Sequence, residues 1–90
     1  MKKYRFLYPA VFIKEEDGSY QVMFPDLDLY TDGQNSSEAY LYAKDLLRVY
    51  FNYALKYEVE YNKPTAIEKL IEKCKPNEMV MYVDTYVEAE

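Results

Sequence analysis

The sequence contains no histidine and no tryptophan, a single cysteine (Cys74) and only two glycines. Without histidine it has no Ser-His-Asp arrangement, no Cys-His pair and no imidazole ligand for a metal. One cysteine cannot form an internal disulfide, and with no histidine to activate it we interpret Cys74 as a structural thiol. Two glycines are also too few for a phosphate-cradling loop. The composition therefore argues against most catalytic chemistry and predicts no cofactor.

The chain also lacks a signal peptide and any long apolar run, which predicts a protein of the reducing cytoplasm that does not enter a membrane. Basic residues are in the minority, with 11 Lys and Arg against 16 Asp and Glu and a net charge of −5. A nucleic-acid-binding surface needs a cationic stripe that displaces counterions from phosphates. The excess of acid argues against such a surface and favours a basic protein partner.

What the chain has in abundance is apolar and aromatic residues. Half of its 90 residues are hydrophobic and twelve are tyrosines, which predicts a single ordered domain over residues 1–90. The tyrosines have two interpretations. They fill core and boundary positions, or they form a binding surface on which one end of each ring stays in water.

The first third of the chain carries the pattern of a β-hairpin. Residues 4–13 are rich in aromatic and β-branched residues and predict a strand, which Pro9 places at a sheet edge or at a bulge because proline cannot donate to a ladder. Asp17 and Gly18 supply the positive φ angles of a tight turn, and residues 20–24 alternate as the partner strand.

A long helix follows a short third strand. We expect that strand around residues 29–31, a turn made possible by Gly33, and a helix over residues 36–57 that is capped by Asn35 with Glu38. The residues expected on the buried face of the helix are Ala39, Ala43, Leu46, Leu47, Tyr50, Ala54 and Tyr57.

The last third predicts a short helix and a final strand. Thr65 and Glu68 form a T-x-x-E capping box for a helix that ends near Lys73, and residues 79–87 read as a strand. This strand pairs with the first hairpin or, through an exposed edge, with another copy of the chain. The predicted fold is a two-layer α+β domain of order β-β-β-α-α-β, an antiparallel sheet covered by one long helix.

Six carboxylates cluster in the turns. Three of them, Asp26, Asp28 and Asp32, have three interpretations: turn residues that satisfy their own backbone, an acidic patch that faces a partner, or a metal or acid–base site. The other three, Glu15, Glu16 and Asp17, are interpreted as a solvated hairpin tip. A two-metal nuclease of the ribonuclease H type usually has an acid in the middle of its first strand, and residues 4–13 contain none. The two sheet turns would have to come together for the carboxylates to form one negative edge. The six are Glu15, Glu16, Asp17, Asp26, Asp28 and Asp32.

The order and spacing of several short motifs resemble the HicB-type antitoxins. The resemblance rests on "YPAVFIKEEDGSYQVMFPDL" (8–27), Thr31-x-Gly33, "EAYLYAKDLL" (38–47) and Pro64-Thr65, and it extends from about residue 4 to 87. It implies a curtailed ribonuclease H-like fold that has lost catalysis. It also implies a partner, a HicA-type toxin, which is a small basic mRNA-cleaving ribonuclease with a catalytic histidine.

The chain departs from this family pattern in two places. Asp28, Leu29 and Tyr30 stand where the family usually has a Pro-Gly-Cys-like turn, and the segment is one residue shorter. Many members also continue into a DNA-binding segment, whereas this chain reaches Glu90 directly after the predicted last strand. We therefore expect no operator binding.

Three hypotheses for function follow. The first is a non-enzymatic antitoxin core that binds and neutralises a HicA-like ribonuclease, with the six carboxylates as its contact residues and a homodimer or higher homo-oligomer as its assembly. The second is a solitary interaction or oligomerisation module, for example from a phage or mobile element, that binds another basic protein. The third is a metal-dependent nuclease, which Mg²⁺- or Mn²⁺-dependent RNA cleavage would reveal.

Overall fold

The computed structural model describes residues 2–89, so the chain end at Glu90, on which the expectation about operator binding depends, lies outside the described residues. Four strands and two helices follow one another in the predicted order β-β-β-α-α-β. They are β1 (Lys2–Lys14), β2 (Tyr20–Phe24), β3 (Leu29–Gly33), α1 (Ser36–Lys56), α2 (Ile67–Ile71) and β4 (Glu78–Ala89).

The four strands form one antiparallel sheet in the order β3-β2-β1-β4. The last strand pairs with the first along almost its whole length, from Lys2 opposite Ala89 to Ile13 opposite Glu78. Helix α1 packs on one face of this sheet, and α2 packs against β4. The predicted two-layer α+β class, the antiparallel sheet and the long covering helix are therefore confirmed.

The β1–β2 turn forms as predicted, although only one of its residues has a positive φ. Gly18 has a φ of 89°, and its N–H donates to the carbonyl of Glu15 at 3.1 Å. Asp17 instead accepts hydrogen bonds from the backbone N–H and the hydroxyl of Ser19, at 2.9 and 2.6 Å. These bonds hold the pKa of the Asp17 carboxyl below its usual value.

The edge position predicted for Pro9 is confirmed, even though β1 lies in the interior of the sheet. Strand β2 pairs with β1 only from Val11 to Lys14, whereas β4 pairs with β1 from Lys2 to Ile13. At Pro9, β1 therefore has a neighbouring strand on one side only. A residue without an N–H donor is tolerated at such a place.

The core lies between α1 and the sheet, and its largest helical member was not predicted. Phe51 is completely buried and stacks on Phe6 with ring centroids 3.7 Å apart. Tyr57, which was expected on the buried face, is 59% exposed because the helix ends at Lys56. The predicted alanines Ala39, Ala43 and Ala54 are buried, and they allow α1 to approach the sheet closely.

The start of α1 depends on a close backbone approach. Asn35 caps the helix as predicted: its side chain accepts from the N–H of Glu38 at 2.9 Å, and the Glu38 carboxylate accepts from the N–H of Gln34 at 3.1 Å. Gly33 is needed for a different reason from the expected one. A Cβ on Gly33 would lie 2.4 Å from the backbone nitrogen of Ala39, so glycine provides space here.

Helix α2 begins one residue later than predicted and ends at Ile71, two residues before the predicted Lys73, and its expected capping box does not form. Its first turn follows Ala66, which provides no side-chain cap. Thr65 donates its backbone N–H and its hydroxyl to the carboxylate of Asp26 instead. The prediction that Thr65 caps α2 is therefore wrong, because the carboxylate of Asp26, distant in sequence, accepts both the N–H and the hydroxyl of Thr65. Neither helix in residues 2–89 is long and apolar enough to cross a membrane.

Candidate functional site

The six turn carboxylates lie at two opposite ends of the sheet. Asp32 is paired with Gln21 and lies one residue from the end of β3, at the same end of the sheet as the β1–β2 turn. Asp26 and Asp28 occupy the β2–β3 turn at the other end, about 14 Å away along the strand. A single negative edge made of all six residues, one arrangement considered from the sequence, is therefore wrong.

The first group, which we call the hairpin-end acids, consists of Glu15, Glu16, Asp17 and Asp32. Within residues 2–89, Asp17 is bonded to Ser19 and the other three carboxylates have no hydrogen-bond partner in the chain. Beside them lies an open cleft of about 340 Å³, to which Asp32, Tyr20 and Glu38 contribute. Unpaired carboxylates on an exposed turn remain available to a partner.

The second group, the corner-end acids Asp26 and Asp28, is bound to the rest of the fold. The Asp26 carboxylate accepts the backbone N–H of Thr65 at 2.9 Å and also its hydroxyl. The backbone carbonyl of Asp26 accepts from the side-chain amide of Asn62 at 3.0 Å. These three bonds fasten the irregular segment between α1 and α2 to the end of β2.

A buried tyrosine holds the same segment from the sheet side. The Tyr8 hydroxyl donates to the carbonyl oxygen of Asn62 at 2.6 Å. Burial, together with the nearby Tyr61 and Asp26, raises the pKa of Tyr8 to about 12. The hydroxyl therefore stays protonated at neutral pH and keeps its donor.

The conformation of Asp28 shapes the corner between β2 and β3. It has a φ of 54°, a left-handed conformation that aspartate tolerates better than most residues, and the N–H of Leu27 donates to the carbonyl of Phe24 at 3.2 Å. The Asp28 carboxylate accepts from the Tyr30 hydroxyl at 2.8 Å, which raises the pKa of that tyrosine. Asp28 and Tyr30, the first and last residues of the segment that differs from the HicB-like pattern, thus contact each other.

Sequence reasoning missed a cleft at this corner. It has a volume of about 440 Å³, and acidic and tyrosine side chains line much of it. Glu60, Tyr61 and Asn62 come from the segment after α1, where no local pattern indicates which part of the sheet it contacts. The lining residues are Pro25, Asp26, Leu27, Asp28, Tyr50, Glu60, Tyr61 and Asn62.

We expect Asp26→Ala to lower the free energy of unfolding by about 1–3 kcal/mol, because it removes hydrogen bonds to a charged, partly buried acceptor. Urea denaturation measures this loss. Asp45→Ala is the matched control, since Asp45 forms only an exposed ion pair with Arg48 and should change stability by less than about 0.5 kcal/mol. Equal losses for the two variants would show that Thr65 is not held by Asp26.

No group of three or more aspartate, glutamate or cysteine residues comes together in the described part of the chain in a way that could hold a metal ion. The geometry of these acids is suited to contact with a positively charged surface and to hydrogen bonding within turns.

The comparison with solved structures finds the same fold in another protein. A chain from a structure described as a toxin–antitoxin complex from Streptococcus pneumoniae superposes with a TM-score of 0.77. The two are 19% identical, and the match covers 91% of this chain and 69% of the other. The shared feature is the fold. No family model and no curated protein matches the sequence.

Proposed function

We propose that this chain is the toxin-binding core of a HicB-type antitoxin, which neutralises a small basic HicA-like ribonuclease by covering its RNA-binding face. The observation that carries the proposal is the fold shared with a chain of a toxin–antitoxin complex. The HicB-like motifs of residues 4–87 and the net charge of −5 support it independently.

In this proposal the chain inhibits by contact and performs no chemistry. A ribonuclease that cleaves mRNA presents a cationic surface to its substrate, and an acidic protein competes for that surface. The hairpin-end acids Glu15, Glu16 and Asp32 supply charge that no group of the described chain neutralises through a hydrogen bond. Exposed carboxylates of this kind accelerate association with a basic protein and orient it.

The corner-end acids contribute in a second way. The cleft beside Asp26 and Asp28 also contains Glu60 and the rings of Tyr50 and Tyr61. Carboxylates next to tyrosine rings accept a lysine or arginine side chain through ion pairing and cation–π contact. Because Asp26 is bonded to Thr65, its main contribution is to keep this cleft in shape.

The test combines the pure chain with the small basic protein encoded beside it, which we expect to contain a histidine, and measures both binding and RNA cleavage. We expect a stable complex and loss of cleavage. A toxin that neither binds nor loses activity would contradict the antitoxin role. Binding to a different basic protein would instead favour a solitary interaction module, and Mg²⁺-dependent RNA cleavage by the chain alone would favour a nuclease.

The hairpin-end acids can be tested with a charge-matched pair of triple variants. We expect Glu15→Gln with Glu16→Gln and Asp32→Asn to slow association about tenfold at low salt, with a smaller effect at high salt. The control removes three exposed acids elsewhere, Glu68, Glu72 and Glu88. Stopped-flow measurement of association at two salt concentrations distinguishes the two triple variants. If both associate at the same rate, the contact lies away from the hairpin-end acids.

A further inference from the structure

The outer edge of β3 is a strand edge that the described chain leaves unpaired. Strand β3 pairs with β2 from Leu29 to Gly33 and has no strand on its other side. Beyond this ladder, no hydrogen bond within residues 2–89 involves the backbone of Leu29–Gly33. Alternate N–H and C=O groups of β3 therefore point away from the sheet and are available to another strand.

The charge on this side of the molecule is entirely negative. Residues 15–43, which comprise β2, β3, their turns and the first turns of α1, contain seven acids and no lysine or arginine. All 11 basic residues lie elsewhere, where they face nine acids, so the rest of the chain has a net charge of +2. Two of these bases, Arg5 and Lys44, bind Asp84 at the opposite edge of the sheet. The acidity of the chain is therefore concentrated around β3.

Helix α1 borders the same edge with exposed apolar side chains. Its Lys44 extends towards β4, where it binds Asp84, whereas its Tyr50 lines the cleft beside the β2–β3 turn. Three further residues lie about 140–180° around the helix axis from Lys44, and about half of each is exposed. They are Tyr42, Val49 and Tyr53. A strand added to β3 therefore meets an apolar helix flank on one of its faces.

Open clefts follow β3 from one end to the other. The cleft of about 440 Å³ at the corner includes Asp28, and the cleft of about 340 Å³ at the hairpin end includes Asp32. Between them, a third cleft of about 400 Å³ is lined by Gln21, Tyr30, Thr31 and Asp32. Asp28 and Asp32 are about 14 Å apart along the strand, and Tyr30 between them is 63% exposed. The edge thus presents a carboxylate at each end and a tyrosine ring in the middle.

We propose that the outer edge of β3 binds an extended segment of a basic protein partner, which becomes a fifth strand of the sheet. Backbone hydrogen bonds to β3 supply affinity, and side chains supply specificity. The segment carries lysine or arginine at two positions four residues apart, which pair with Asp28 and Asp32, and an apolar residue between them that contacts Tyr30. This inference rests on the proposed antitoxin function and adds where, and through which groups, the toxin is held.

Charge selects this occupant over the others that a strand edge could take. A second copy of the chain paired through β3 would bring two sets of seven carboxylates together, and like charges opposite one another destabilise a strand pair. Nucleic acids and anionic membranes are repelled for the same reason. An extended segment rich in lysine or arginine is attracted, and its apolar side chains are covered by the exposed flank of α1.

The first test reads the backbone hydrogen bonds directly, by amide hydrogen exchange of the chain alone and in complex with the small basic protein encoded beside it. We expect the outward N–H groups of Leu29–Gly33 to exchange at least about tenfold more slowly in the complex, and the outer N–H groups of β4 to keep their rates. If the complex blocks RNA cleavage while the β3 rates stay unchanged, the inference is wrong and the antitoxin function stands. If no complex forms, both are wrong.

The second test places a positive charge at the centre of the edge. We expect Tyr30→Lys to raise the dissociation constant of the complex on the order of 100-fold, because the lysine repels the basic segment and the ring contact is lost. Tyr82→Lys is the matched control, since Tyr82 is 43% exposed on the same face of the sheet but lies on β4 at the far edge. Its effect should be less than about threefold. Titration calorimetry measures both constants, circular dichroism verifies that both variants fold, and equal effects would overturn the inference.

Discussion

Replacing Phe51 with alanine is expected to lower the free energy of unfolding by about 3–5 kcal/mol. Phe51 is completely buried where α1, β1 and the segment after α1 meet. Its ring stacks on Phe6 of β1 and also lies edge-on to Tyr61 of the segment after α1 at 4.8 Å, so one truncation removes contacts with two other parts of the fold. A domain of this size has a total stability of only about 5–15 kcal/mol.

Urea denaturation followed by circular dichroism measures this effect. Phe51→Leu keeps most of the apolar volume and should lose clearly less than Phe51→Ala. Val49→Ala is the control on the same helix, because Val49 is 53% exposed and its truncation should change stability by no more than about 0.5 kcal/mol. If Phe51→Ala were as mild as Val49→Ala, α1 would have to lie on the sheet with a different face.

Replacing Gly33 with alanine is expected to cost about 3 kcal/mol, although its backbone needs no positive φ. The added Cβ would lie 2.4 Å from the nitrogen and 2.6 Å from the Cα of Ala39. These are backbone atoms in the first turns of α1, so relief requires the helix to move off the sheet. The buried alanines Ala39 and Ala43 would then lose their contacts.

The second glycine provides a control for this prediction. Gly18 has a φ of 89° with open space around its Cβ position, so the cost of substitution there is conformational. Asparagine tolerates positive φ better than alanine does, so Gly18→Asn should be milder than Gly18→Ala. At Gly33 the order should reverse, because the larger side chain increases the collision. Thermal denaturation of the four variants measures both orders, and the same order at both sites would refute the steric explanation.

Most of the elements were predictable because they are encoded locally. Alternation over residues 20–24 and helical spacing after Asn35 require only neighbouring residues, and both appear in the structure. The position of Asp32 was also implied: once residues 29–31 are a strand, Asp28 and Asp32 belong to opposite ends of it. The exposure of Tyr57 reflects the end of α1 at Lys56, since boundaries are harder to predict than periodicity. Phe51 lies four residues after Leu47 and three before Ala54, so the helical spacing did indicate its burial.

The role of Asp26 could not be predicted in this way. Its partner Thr65 is 39 residues away, in a segment without regular structure. A T-x-x-E pattern at Thr65 is a good local signal for a capping box, in which the Glu68 carboxylate would accept the Thr65 N–H. In the structure that N–H goes to the Asp26 carboxylate, and the helix begins one residue later, after Ala66. The cleft beside Asp26 was missed for the same reason.

The pairing of the first strand with the last also determines how the chain must fold. The β1–β2 and β2–β3 turns connect neighbours in sequence and can form early, whereas the β1–β4 ladder joins residues as distant as Lys2 and Ala89. During synthesis the edge of β1 that pairs with β4 therefore stays unpaired until almost every other residue has left the ribosome. A newly made chain offers that edge to any strand nearby, so its β4 competes directly with the strands of other nascent copies.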